Sequence, residues 1–123
     1  MNQVVVKQEK SGYQIVEAYK SLRTNLQFCG EDKKVIAVTS CTPNEGKSSV
    51  SMQLGISLAE SGKRVILIDA DLRKSVLLGR TKTQKSVRGL AHFLSGQATL
   101  EDVICSTNVK NFYTVSYTHL RAH

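Results

Sequence analysis

The sequence predicts an α/β fold in which a parallel sheet of about three strands is flanked by helices. Two short, continuous apolar runs, at residues 35–38 and 65–68, are typical of strands buried on both faces. Between them, residues 47–61 carry apolar side chains at helical spacing and are followed by Gly62, a residue type that commonly ends helices. A strand, a helix and a second strand at this spacing predict a right-handed βαβ unit.

The rest of the chain carries weaker patterns. The further predicted elements are helices at residues 15–28, 89–94 and 99–105 and a third strand at residues 112–115. Thr99 and Asp102 form a T-x-x-D pair, which predicts a capped helix start.

The length and composition predict one domain. The chain has 123 residues, of which 41% are hydrophobic and 22% are charged, a balance typical of globular proteins. We expect a flexible lead-in at residues 1–14 and the domain at residues 15–115. Residues 116–123 fit no element and resemble sequencing-adapter read-through, so we expect a non-native tail and a native chain that continues differently after about Val115.

Composition also excludes several classes of protein. No apolar run approaches 18 residues and the N-terminus lacks the apolar core of a signal peptide, so we expect a cytoplasmic protein. Three cysteines without a CxxC pair predict reduced thiols, with neither a zinc site nor a disulfide scaffold. The net charge of +7 is concentrated at residues 73–88, where no aromatic residues interleave the basic ones. We interpret this stretch as a solvated surface and expect no nucleic-acid partner.

A phosphate-binding loop is predicted at residues 40–46, between the first strand and the helix. Gly46, Lys47 and Ser48 fit the end of the G-x-x-x-x-G-K-[ST] pattern, whereas Cys41 occupies its first glycine position. Backbone N–H groups and the positive end of the helix dipole bind phosphate oxygens, a lysine binds the outer phosphates, and a hydroxyl binds Mg²⁺. The predicted nucleotide-binding residues are Thr42, Pro43, Asn44, Glu45, Gly46, Lys47, Ser48, Ser49 and Arg73.

Two carboxylates follow the second strand. Asp69 and Asp71 lie two residues apart, so an extended backbone directs both to one side. Ligands of open parallel sheets bind beyond the carboxyl ends of the strands. One carboxylate can hold a metal-bound water and the other can accept a proton from an attacking hydroxyl group. Arg73 can contact a phosphate or pair with an aspartate.

Together these motifs resemble those of the bacterial tyrosine kinases of capsule and exopolysaccharide synthesis, within the P-loop NTPase class. The segments that carry the resemblance are TSCTPNEGKSS, VILIDADLRK, the helix EAYKSLRTNLQF and GLAHFLSGQATLEDVI. Asn44 stands where the family usually has Gly, Ser75 where it often has Pro, and Lys20 where its oligomerisation motif has Arg. The family's Walker B acid and its tyrosine-rich tail have no counterpart in this sequence.

The resemblance implies an ATP-dependent protein-tyrosine autokinase with a P-loop NTPase-type sheet. It implies Lys47, Asp69 and Asp71 as catalytic residues and Ser48 and Asp69 as Mg²⁺-binding residues. It also implies a ring-type homo-oligomer assembled through Glu17, Lys20 and Arg23. The implied partners are a membrane-bound polysaccharide co-polymerase or adaptor, which recruits the kinase to the inner face of the membrane, and the full-length protein's own C-terminal tyrosines.

Two alternative functions stay open. One is a partitioning or septum-site ATPase of the same P-loop class, although residues 41–44 lack the early lysine typical of that group. The other is a non-catalytic nucleotide-binding regulator of polysaccharide export.

Overall fold

A computed structural model describes residues 1–6, 12–29, 34–38, 47–69, 81–82 and 89–117 of the chain. The elements are β1 (Asn2–Val6), α1 (Tyr13–Phe28), α2 (Lys47–Glu60), β2 (Val65–Ile68), β3 (Thr81–Lys82), α3 (Leu90–Leu94), α4 (Leu100–Val103), β4 (Cys105–Thr107) and β5 (Phe112–Val115).

The five strands form one mixed sheet in the order β2-β5-β4-β1-β3. β2 pairs with β5 and β1 pairs with β4 in parallel, whereas β4–β5 and β1–β3 are antiparallel. β4 and β5 are joined by a turn at residues 108–111, and so short a connection permits only antiparallel neighbours. The predicted α/β class is confirmed, with more strands than expected and with two antiparallel pairs.

Helix α2 covers one face of the sheet at β2 and β5. Its buried side chains Met52, Ile56 and Ala59 belong to the core cluster, which also contains Phe112. Gly55 permits the close approach, because a Cβ atom there would lie 2.7 Å from the Phe112 ring. Helix α1 packs on α2 from outside.

The predicted end of α2 at Gly62 is confirmed. Gly62 has a φ of +98°, and its N–H donates to the Ala59 carbonyl at 3.0 Å. The N–H of Lys63 donates to the Leu58 carbonyl at 3.3 Å. These two bonds form a Schellman motif, in which a residue with positive φ satisfies the last carbonyls of a helix.

Several other local predictions are confirmed, among them the helix at residues 15–28, the helix at 89–94 and the strand at 112–115. Thr99 Oγ1 accepts from the Asp102 N–H at 3.3 Å, and Asp102 Oδ2 accepts from the Thr99 N–H at 3.0 Å. This is the predicted capping box. The helix that it starts is shorter than predicted, since Cys105 already belongs to β4.

The N-terminus differs from the expectation. A flexible lead-in was predicted at residues 1–14, whereas residues 2–6 form β1, with Val4 2% and Val6 1% exposed. The partner of β1 is β4, about a hundred residues along the chain, and local sequence carries no signal for such a pairing. The predicted domain boundaries stay a prediction.

The predicted strand at residues 35–38 is wrong. Residues 34–38 form no strand, and Val35 is 92% exposed. Among the strands that the structure describes, β2 is the last of the sheet and pairs with β5, so the predicted βαβ unit lacks its first strand there. An apolar run favours burial, but it does not specify the backbone partner that a strand requires.

Candidate nucleotide-binding site

The first turn of α2 is the structural basis of the candidate site. Lys47, Ser48 and Ser49 are the first residues of this 14-residue helix. The first N–H groups of a helix lack intrahelical partners and lie at the positive end of its dipole. The first turn of α2 contains no acidic residue that would repel an anion. Its backbone is therefore suited to phosphate.

The fold brings this turn to the same edge of the sheet as Asp69. The connection at residues 61–64 is short and α2 packs against β2, so the two elements run antiparallel. The start of α2 consequently lies toward the carboxyl end of β2, which Asp69 follows directly. The Asp69 N–H donates to the Val115 carbonyl at 2.9 Å, which extends the parallel ladder by one residue, and Asp69 is half-buried.

Helix α3 also reaches this edge. The sequence predicted the helix but not its contact with the residues that follow β5. The N–H groups of Leu90 and Ala91 donate to the carbonyls of Ser116 and Tyr117 at 2.7 and 2.9 Å. The start of α3 is thereby fixed at the carboxyl end of β5. Ser116 is buried, so this part of the predicted tail at residues 116–123 packs with the domain, and residues 118–123 lie outside the described residues. No local sequence signal indicates a contact of this separation.

The remaining predicted site residues are not placed. Those outside the described residues are Thr42, Pro43, Asn44, Glu45, Gly46, Asp71 and Arg73. Of the predicted site, the structure brings together the backbone of the first turn of α2 and Asp69.

The three predicted oligomerisation residues lie on one side of α1. Lys20 Nζ pairs with Glu17 Oε1 at 3.6 Å on the exposed surface. Arg23 is different, because its Nη1 donates to the Ser57 carbonyl at 2.9 Å and to Ser57 Oγ at 3.4 Å. Sequence spacing did not indicate this contact with α2.

Two of the three cysteines lie among the described residues. Cys29 and Cys105 are both free, and Cys41 lies outside the described residues. Cys105 is buried, and burial raises its thiol pKa to about 11. No cluster of three potential metal ligands occurs among the described residues. Within the same ranges, no helix has the length and hydropathy needed to cross a membrane.

Comparison with known proteins gives the family. The sequence profile described as an AAA domain matches residues 33–121. The chain is 46% identical over 99 residues to the tyrosine-protein kinase CpsD of Streptococcus agalactiae, covering 80% of this chain and 43% of that protein. It is 36% identical over 97 residues to the tyrosine-protein kinase YwqD of Bacillus subtilis strain 168, covering 77% and 40%.

A solved structure extends the likeness to the fold. The structure titled BceF tyrosine kinase domain matches with a TM-score of 0.72 at 42% identity, covering 82% of this chain and 40% of that one. The chain thus spans less than half the length of these relatives. The predicted resemblance to bacterial tyrosine kinases is confirmed: the chain belongs to the AAA domain family, and it is similar to members named tyrosine-protein kinases.

Proposed function

We propose that the full-length protein transfers the γ-phosphoryl group of ATP to tyrosine side chains, its own included, and thereby regulates capsule or exopolysaccharide synthesis. The observation that carries the proposal is the position of the α2 first turn at the edge where Asp69 follows β2, in a chain 46% identical to a tyrosine-protein kinase.

Phosphate binding is assigned to the start of α2. The free N–H groups of its first turn donate to phosphate oxygens without moving, because the helix fixes their direction. Lys47 adds a positive charge that stabilises the charge developing on the transferred group. Residues 42–46 complete the loop in this proposal.

Magnesium fits the donor set of this edge. The Ser48 hydroxyl and the Asp69 carboxylate offer hard oxygen ligands, which are the type that Mg²⁺ prefers. When bound, the ion would supply positive charge that offsets the negative charge of the phosphate oxygens.

The aspartates act on the tyrosine. A hydroxyl group with a pKa of about 10 stays protonated at neutral pH, so it donates a hydrogen bond to a carboxylate. Asp69 or Asp71 holds the hydroxyl oxygen in line with the phosphorus and accepts its proton late in the transfer. Positioning and charge stabilisation supply most of the barrier reduction.

The proposal extends to assembly and location, as the resemblance implies them. A ring-type homo-oligomer that uses α1 brings the C-terminal tyrosines of one subunit to the site of the next. A membrane-bound adaptor holds this ring at the cytoplasmic face. Exposed Ile15 and Leu22 on α1 are compatible with such a subunit contact.

Labelling of the full-length protein tests the proposal. We expect transfer of label from γ-labelled ATP to tyrosine in the wild type, and loss of that label in Lys47→Met. Lys63→Met is the matched control, because Lys63 is exposed at the opposite end of α2, and it should keep full labelling. Release of phosphate without labelled protein would favour a partitioning ATPase. Neither signal would favour a non-catalytic regulator.

A further inference from the structure

Helix α2 has no positive charge of its own at its carboxyl end. Its last turn contains no basic residue. The last carbonyls of a helix lie at the negative end of the dipole, where a cation is stabilising. Backbone donors satisfy these carbonyls, and the N–H of Ser61 reaches the Ser57 carbonyl at 3.2 Å. The dipole itself is left without a compensating charge from within the helix.

Arg23 of α1 supplies this charge. Its Nη1 atom lies 2.9 Å from the Ser57 carbonyl oxygen, which therefore accepts two hydrogen bonds. Arg23 is half-buried and Ser57 is 7% exposed, so water screens the contact little. A guanidinium group in this place acts both as a donor and as a cation at a helix carboxyl end.

The contact also helps to hold α1 on α2. Much of α1 faces solvent, and Ile15 is 52% and Phe28 83% exposed. Apolar burial therefore contributes little to holding the helix, which increases the relative weight of the charged bond to Ser57.

We propose that Arg23 is a positioning residue for the phosphate-binding helix: it adds a charged contact at the carboxyl end of α2, beside the packing of α2 on the sheet, while the first turn at Lys47 binds nucleotide. The inference rests on the proposed function. Ser57 and Lys47 lie ten residues apart on one helix, a distance of about 15 Å. A rigid helix held at Ser57 keeps its first turn in place, and loss of the contact lowers the fraction of molecules that are ready to bind. The apparent Kd rises as that fraction falls.

Nucleotide affinity in the full-length protein tests this role. A fluorescent ATP analogue is titrated into the wild type, Arg23→Gln, Arg23→Lys and Lys110→Gln. Each protein is diluted until its molecular mass in solution is that of a monomer. We expect Arg23→Gln to raise the Kd by roughly twofold to fivefold, because a cation at a helix end is worth about 0.3–1 kcal/mol. Arg23→Lys keeps the charge and should restore part of the affinity. Lys110→Gln removes an equal charge from an exposed turn and should bind as the wild type does.

Amide exchange separates this inference from the function on which it rests. In the nucleotide-free protein at the same dilution, the amides of α1 and α2 should exchange faster in Arg23→Gln than in the wild type. Equal Kd and equal exchange, with only a changed oligomeric state, would overturn the inference and leave Arg23 as an interface residue. A wild type that binds no nucleotide would overturn the proposed function instead. If Arg23→Gln does not fold, the Kd of Arg23→Lys is compared with that of the wild type. An unchanged Kd in Arg23→Lys would contradict a contact that requires the guanidinium group.

Discussion

Replacing Gly55 by alanine tests how α2 is fitted to the sheet that positions the site. The added Cβ would lie 2.7 Å from Cε1 of Phe112, 3.5 Å from Cζ and 3.6 Å from Cδ1. Carbon atoms pack at about 3.5–4.0 Å, so the helix or the ring must move by about 0.8 Å. Phe112 is 1% exposed and belongs to the central cluster, which leaves its ring little room.

The net effect is the difference between two terms. Overpacking in a core costs about 1–3 kcal/mol. Alanine recovers about 1 kcal/mol of helix propensity relative to glycine. We therefore expect Gly55→Ala to lower the free energy of unfolding by about 1 kcal/mol.

Urea denaturation of the single and double variants measures the effect. Phe112→Leu removes the atom that the new Cβ would meet, so the double variant should lose less stability than the sum of the singles. We expect a coupling energy of at least about 0.5 kcal/mol. A Gly55→Ala protein more stable than the wild type, or additive variants, would refute the close approach of α2 to Phe112.

Four further predictions concern local structure. Gly62→Ala places a side chain at a φ of +98° and should lower the free energy of unfolding by about 1–2 kcal/mol. Thermal denaturation measures this, and an unchanged midpoint would contradict it. Asn108 Oδ1 accepts from the Val6 N–H at 2.7 Å, and Asn108→Ala should cost about 1–3 kcal/mol and speed exchange of that amide, whereas unaltered exchange would argue against the bond. Burial raises the pKa of Cys105 to about 11, so iodoacetamide should modify exposed Cys29 first, and equal rates would speak against burial. Because the unfolded chain releases the Cys105 proton near its ordinary value of 9.0, stability should fall as pH rises from there toward 11, and a flat urea midpoint across that range would contradict it.

The sequence predicted those elements whose causes are local. The periodic apolar positions of α2 and the glycine at position 62 act within a few residues of one another, and the observed helix ends one residue before its predicted end. The capping box at Thr99 is equally local.

Long-range pairing was predicted poorly. β1 is a strand because β4 lies beside it, and the short run of valines at residues 4–6 does not indicate that partner. The run at residues 35–38 is equally apolar and yet lies exposed, and none of the described strands pairs with it. The contact of Arg23 with Ser57 belongs to the same class, because it joins two helices through residues 34 positions apart.

The assignment of the α2 first turn to nucleotide phosphates is best tested by calorimetric titration of the full-length protein with a non-hydrolysable ATP analogue. We expect the analogue to bind only when magnesium is present. Binding should be lost in Lys47→Met and kept in Lys63→Met. Absence of binding in the wild type, or binding that Lys47→Met leaves unchanged, would contradict the assignment of the α2 first turn to nucleotide phosphates.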